Sequence, residues 1–268
     1  MKIVAISGNA GAGKDTAADC LVAEHGYVRI SLADPIKRFG KDVFGFSPVQ
    51  LWGPSDARNQ HDRRYNHYSE GSDIDAAWKA AYVRLEQQAD DWIDEVLGYE
   101  GAHNNKDYLD SLLAWFHKLG SEHPKLSPRV MLQTLGTEWG RSVDPDLWVN
   151  YCMRTAYKVL AGEGVVGYHQ AKGLFIHSTE SPAPKGIVVA DVRFLNEIEA
   201  LKTVKSFLVR IKRDDIDDAA LRLGIRNHQS EAEQQTISDD VFNMIINNNG
   251  SLEKLMDAVA MIPRIAKG

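Results

Sequence analysis

Lys14 closes a glycine-rich run, Gly8-Asn9-Ala10-Gly11-Ala12-Gly13-Lys14-Asp15-Thr16. That combination is suited to binding a polyphosphate. Glycines let the backbone curl until several N–H groups face one anion. A helix that begins there adds unpaired N–H groups and the positive end of its dipole. The lysine adds a mobile cation that can follow a phosphoryl group as it moves. The spacing Gly8-x-x-x-x-Gly13-Lys14 fits the phosphate-binding P-loop, with Gly8, Ala10, Gly11, Ala12, Gly13, Lys14, Asp15 and Thr16 as the cradle. One position departs from the pattern. Asp15 stands where Ser or Thr usually supplies a magnesium-binding hydroxyl, and Thr16 follows one place later. Either Asp15 holds the metal through water, or Thr16 contacts a phosphate; both readings stand.

The loop needs elements on both sides, and the sequence supplies them. Lys2 to Ser7 reads as a short buried strand, and Ala17 to Glu24 as an amphipathic helix. An accidental glycine-rich turn does not explain that context. A dinucleotide-binding loop fits worse, because the third glycine is replaced by Thr16 and Lys14 would have no role. A second apolar run, Gly186-Ile187-Val188-Val189-Ala190, ends in Asp191. An aspartate at a strand end beside a P-loop can hold magnesium or its water. Arg193 leaves the same strand end.

Composition sets bounds. The 268 residues suffice for one substantial α/β domain with an insertion, or for two small domains. Hydrophobic residues make up 44%, enough for a real core, and the net charge of −6 argues against a general nucleic-acid surface. The two cysteines, Cys20 and Cys152, read as buried thiols in a reducing compartment rather than a disulfide framework or a zinc site. With no signal peptide and no bilayer-length apolar run, the expected location is the cytoplasm.

Other stretches carry candidate roles. Tyr27 to Ser31 reads as the second strand. Asp34 then reads as a helix cap with Pro35 at the first helical position. Lys37, just beyond a strand end, is a candidate for a substrate phosphate. Phe46 to Pro54 looks turn-rich, and Ser55 to Asp75 looks like a polar loop. Helices are expected over Ile74–Leu97 and Asp107–Leu119, so that 46–125 forms a helical insertion. Ser127-Pro128 opens a further helix. If it continues through Gly136, Gln133, Thr137 and Arg141 share one stripe, which suits base recognition plus phosphate binding as well as it suits an ordinary polar face. Gly162 to Pro184 reads as a loose connection with a short strand at Leu174–Ile176. Strands are expected at Phe207–Ile211 and Val241–Asn247. Between them Arg213, Arg222 and Arg226 could form a closing lid over 213–235, or a surface helix neutralised by neighbouring aspartates.

Several blocks together resemble the deoxynucleoside monophosphate kinases of tailed bacteriophages. They are Gly8 to Thr16, Ser31-Leu32-Ala33-Asp34-Pro35-Ile36-Lys37, Gln50-Leu51-Trp52-Gly53, Ser127-Pro128-Arg129, Leu132 to Glu138 with Arg141, Asp191-Val192-Arg193-Phe194-Leu195-Asn196-Glu197, and His228-Gln229-Ser230-Glu231. They run in the family's order along nearly the whole chain. Asp15 then reads as the family's own variant.

The resemblance implies a P-loop kinase: a three-layer α/β fold with a five-stranded parallel sheet of order 2-3-1-4-5, the helical insertion set on it. It implies transfer of the γ-phosphoryl group of ATP to a deoxynucleoside monophosphate, with Mg²⁺. In that reading Lys14, Arg141, Arg193 and Asp191 are catalytic, and Asp15 and Asp191 attend the metal, through water. Lys37, Gln133, Trp139, Arg141, Arg193 and Glu197 serve the acceptor, with Glu197 orienting Arg193. Arg213, Arg222 and Arg226 form the lid, and Asn247 to Gly250 lie where adenine packs. The partners are ATP and deoxynucleotides, neither a nucleic-acid polymer nor a membrane, and a homodimer is allowed but not required. Two other readings remain at this stage: a P-loop kinase of another small metabolite, and a non-catalytic ATP-binding switch.

Overall fold

The computed structural model describes residues 3–9, 11–53, 55–68, 75–98, 106–163, 165–169, 173–177, 184–214, 234 and 236–266. Ala10, Arg222 and Arg226, and the expected helix at His228–Glu231, lie outside the described residues. The described residues divide into two compact units. One comprises 1–32, 152–165 and 176–268; the other comprises 33–151 and 166–175.

The first unit is built on a parallel sheet. Its strands are β1 (Ile3–Ser7), β2 (Tyr27–Ile30), β5 (Gly186–Val192), β6 (Phe207–Lys212) and β7 (Met244–Asn247), in the spatial order β2-β5-β1-β6-β7. Counted along the sheet-forming strands alone, this is the expected 2-3-1-4-5, and all four pairings are parallel. Parallel central strands are covered on both faces and so read as unbroken apolar runs. Every residue of β1 is buried, and so is all of β5 except Asp191. Helices lie on both sides. On one face Val4, Ile6, Val188, Val209 and Ile246 pack against Ala17 and Leu21 of α1 (Lys14–His25). Leu255, Val259 and Ile262 of the last helix, α11 (Leu252–Ile265), join the same cluster.

The second unit is helical. Its elements are α2 (Asp34–Asp42), α3 (Pro48–Trp52), α4 (Ser55–Asn59), α5 (Ala76–Leu97), α6 (Lys106–Glu122) and α7 (Pro128–Gln133). A π-helical segment, Thr134–Gly140, then leads into the single turn α8 (Arg141–Val143), and α9 (Leu147–Leu160) returns to the first unit.

Four local expectations change, one of them being the polar loop expected from Ser55, which begins with the short helix α4. The N-cap of α2 is Ala33, and Asp34 is the first residue of the helix, where a carboxylate favours the dipole. The turn-rich stretch contains α3, whose Ser47 and Gln50 form a reciprocal capping box. The connection after α9 holds two strands, β3 (Val165–His169) and β4 (Gly173–His177), paired as their own sheet, where one short strand was expected. The β-branched pair Val165-Val166 was the available signal.

The helix opened by Ser127 does continue through Gly136, but by widening to a π-helix. Trp148 explains part of this. Its indole N–H donates to the Gly136 carbonyl at 2.8 Å, and a Cβ on Gly140 would lie 2.1 Å from its ring. An indole pressed on the helix at a glycine and taking one of its carbonyls is a local cause for the altered ladder.

Candidate active site

The P-loop is shaped by backbone conformations that only glycine adopts easily. Gly8, Gly11 and Gly13 have φ of +148°, +82° and +102°. Gly8 also faces β6 so closely that a Cβ would meet the Ile211 carbonyl oxygen at 2.2 Å. The loop closes with Ala12 N–H donating to Asn9 O at 3.2 Å. Lys14 begins α1, is 8% exposed, and donates from Nζ to Asn9 O at 2.7 Å. The cation is thus folded onto the inner rim of its own loop.

Side chains from elsewhere in this unit brace the loop. Asn248, just after β7, donates from Nδ2 to Ala12 O at 2.9 Å. Gln234, 4% exposed, donates from Nε2 to Ser7 Oγ at 3.0 Å and lies 3.2 Å from Gly8 O and 3.4 Å from Val192 O. Arg210 holds Gln234 in turn, donating to Gln234 O at 2.6 Å, Ile237 O at 2.7 Å and Asp239 Oδ1 at 2.7 Å. The hydrogen bond from Lys212, with that from Arg210, outweighs burial and holds the Asp239 pKa below the usual carboxylate range.

Asp191 is the second-last residue of β5, next to Val192, which pairs with Ser7 at the entrance to the loop. Its carboxylate accepts from Ser31 Oγ and, at 3.1 Å, from Leu32 N–H. Asp15, in the first turn of α1, is paired with Arg29 of β2, which also donates to Asp19 at 3.1 Å. Burial opposes the Arg29 charge, but Asp15, Asp19 and Asp191 outweigh it and raise its pKa. Asp15, Arg29 and Asp191 therefore share one electrostatic neighbourhood beside the P-loop.

Arg193 follows in the turn before α10 (Leu195–Thr203), with its side chain exposed. Glu197 is 6% exposed and accepts from the main-chain N–H groups of Arg193, at 2.7 Å, and Phe194, at 3.0 Å. It fixes the chain that carries Arg193 by accepting from two main-chain N–H groups at the start of α10. Arg213 follows β6 in this unit, and Asn249 accepts from Asp214 N–H at 2.9 Å.

The remaining candidates belong to the helical unit. Lys37 lies over the Trp52 ring, 5.8 Å from its centroid. Gln133 ends α7, half-buried, and Arg141 opens α8, also half-buried. Trp139 differs from expectation. It is 3% exposed, its indole donates to Ser111 Oγ at 3.0 Å, and its ring packs 5.3 Å from Trp92 and 6.4 Å from Trp148. An aromatic ring covered on this scale is core, and no base can stack on it in this arrangement.

Residues 2–259 match the deoxynucleotide monophosphate kinase family. The chain belongs to that family. It is also 23% identical over 262 residues to a protein of Acanthamoeba polyphaga mimivirus named "Putative deoxynucleotide monophosphate kinase", covering 97% of this chain and 94% of that one. The fold agrees with a phosphotransferase of the P-loop type.

For a kinase of this family, the residues that sequence reasoning missed are those that brace the loop. Arg29 left a signal, a charge inside the apolar strand Tyr27-Val28-Arg29-Ile30. Gln234 left none, since polar residues near chain turns are ordinary, and Asn248 fell in the stretch assigned to adenine rather than to the loop it braces. Among the described residues no helix is long and apolar enough to cross a membrane.

Proposed function

We propose that this kinase transfers the γ-phosphoryl group of ATP to a deoxynucleoside monophosphate, giving ADP and the deoxynucleoside diphosphate. The observation that carries the reading is the P-loop itself, with three left-handed glycines and a buried Lys14 folded onto it, in a chain of this family. Curled backbone N–H groups and the α1 N-terminus receive the β- and γ-phosphates. Lys14 exchanges its bond to Asn9 for the phosphate oxygens, because an anion offers a stronger partner than a carbonyl.

The acceptor's own phosphate oxygen is the nucleophile, so the site needs no strong base. Positioning and charge neutralisation carry the catalysis. Arg193, on a chain fixed by Glu197, and Arg141 clamp the acceptor phosphate or bridge the two phosphates, with Lys37 in a lesser role. Gln133 contacts the acceptor base, and Trp139 stiffens the wall behind it. Arg213, with Arg222 and Arg226, shields the transferring group, and 46–125 serves as the acceptor-side insertion.

The donors near the loop are carboxylate and hydroxyl oxygens, the hard ligands that suit Mg²⁺. In this reading Asp191 would hold it, with Asp15 further out because Arg29 already engages it. When bound, the ion neutralises charge on the β- and γ-oxygens.

The test is ADP release from ATP-Mg with dAMP, dCMP, dGMP, dTMP, UMP and GMP supplied one at a time. Turnover with one or more deoxynucleotides is expected. ATP binding without acceptor-dependent ADP release across the panel would refute the assignment.

A further inference from the structure

Position 15 is the place where a P-loop usually offers a hydroxyl to the nucleotide's metal ion, with an aspartate at a neighbouring strand end as the second holder. In this chain the second holder is present and the hydroxyl is not. The Asp15 side chain is 79% exposed and engaged by Arg29. A carboxylate already paired with a fixed guanidinium is a poor replacement for a neutral hydroxyl, since drawing it to a cation costs that pair.

A different hydroxyl stands at the aspartate. Ser31 follows β2, the strand that pairs with β5, and its Oγ donates to Asp191 Oδ2. The neighbouring Leu32 N–H donates to the other carboxylate oxygen, Oδ1, at 3.1 Å. The start of the β2–α2 connection therefore grips Asp191 at both oxygens. Arg29 lies on β2, two residues before Ser31, and its guanidinium pairs with Asp15 in the first turn of α1, so the end of β2 that grips Asp191 lies beside that turn. A hydroxyl that gives its proton to a carboxylate keeps its lone pairs, and the donation increases the negative charge on its oxygen. Such a pair is a better cation ligand than either group alone.

We propose that Ser31 is the hydroxyl this P-loop lacks: with Asp191 it binds the divalent cation of the nucleotide, in place of the residue after Lys14. The inference rests on the kinase reading above. It assigns Ser31, and not Asp15, to direct contact with the ion.

The experiment uses the full chain as wild type, Ser31→Ala, Ser31→Thr and Ser31→Cys, each checked for folding by its thermal transition. Free Mn²⁺ is followed by electron paramagnetic resonance during titration with a non-hydrolysable ATP analogue. Affinity for the same analogue is measured separately in EDTA. In EDTA the four proteins are expected to bind alike. With Mn²⁺, Ser31→Ala is expected to hold the ion about tenfold or more weakly, and Ser31→Thr to hold it as wild type does. Ser31→Cys is expected to shift preference from Mg²⁺ toward the thiophilic Cd²⁺.

Mn²⁺ affinity unchanged in Ser31→Ala would overturn the proposal, as would an unchanged Cd²⁺/Mg²⁺ ratio in Ser31→Cys, since Ser31 would then only hold the Asp191 side chain in place. A Ser31→Ala protein that loses the analogue in EDTA as well would also overturn it. Wild type that binds the analogue neither with metal nor without it would instead remove the kinase reading itself.

Discussion

In the sheet unit the buried side chains are mostly Val, Ile, Leu and Ala, with Tyr27, Phe194 and Phe242 the few buried rings among the described residues. In the helical unit rings fill the interior. Phe44 alone lies within 6.5 Å, centroid to centroid, of Phe39, Phe46, Tyr65, Trp78, Trp115 and Phe116. The two interiors serve different tasks. A parallel sheet needs flat, β-branched surfaces, and its phosphate site is made from backbone: glycine conformations, strand ends and a helix start. Helices of unequal length, joined by loops, leave irregular gaps that large rings fill, and whatever they recognise must be read by side chains. Phosphate is bound alike whichever nucleotide carries it, so the first task constrains residue types tightly. The second tolerates many solutions.

Mutations that remove one contribution at a time separate the two tasks. The largest effects are expected from Trp78 and Lys14, for opposite reasons. Trp78 is fully buried at the centre of the ring cluster. Trp78→Ala should cost about 3–5 kcal/mol of stability in a denaturant titration, while the folded fraction still binds ATP. Lys14→Ala should leave the denaturation midpoint nearly in place and remove about 3–5 kcal/mol of transition-state stabilisation, read as kcat/KM. A Lys14→Ala variant with normal turnover would sink the mechanism.

A smaller effect is expected at Asp62 in the helical unit. Its side chain is 8% exposed, and burial alone would raise its pKa. Hydrogen bonds from Arg64, at 2.7 and 3.0 Å, and from Gln50, at 2.9 Å, outweigh burial and lower it from 3.8 to about 2. A carboxyl group whose folded pKa is depressed adds stability above its unfolded pKa and loses it as pH falls through the folded value. The contribution is at most about 2 kcal/mol, present at neutral pH and lost between about pH 4 and pH 2. Urea midpoints measured across that window should fall less steeply for Asp62→Asn than for wild type; identical acid limbs would show that the network contributes nothing.

The smallest effect is expected at Gln133. Gln133→Ala should raise KM for the acceptor by roughly 1 kcal/mol, as for one hydrogen bond, and leave kcat within about twofold. A fall in kcat with unchanged KM would move Gln133 from base contact to the chemistry.

How much was legible follows the same division. The loop and the strand that carries Asp191 could be read because a central parallel strand is an unbroken apolar run and a P-loop has fixed spacing, whereas the sheet order came from the family resemblance and not from any local pattern. The Ser47/Gln50 capping box was written in the sequence and passed over, because Pro54 and the glycines around it looked like a turn. Trp139 misled for a physical reason. A tryptophan on a helix with polar neighbours has the same local pattern whether its ring meets a ligand or two other indoles, and only its packing on Trp92 and Trp148 decides. Glu197 accepts from the main-chain N–H of Arg193, a bond that no residue type reveals.

What the sequence by itself determined is the local pattern on which the proposed phosphate site rests. The Gly8-to-Thr16 spacing and the apolar run ending at Asp191 are local patterns, and local patterns survive without coordinates. The tertiary structure alone decided which side chains close on that loop. Gln234 reaches Ser7 across 227 positions, Asn248 reaches Ala12 across 236, and Ser31 reaches Asp191 across 160. Contacts at such separations depend on how the strands stack side by side, and no short-range pattern records that order residue by residue.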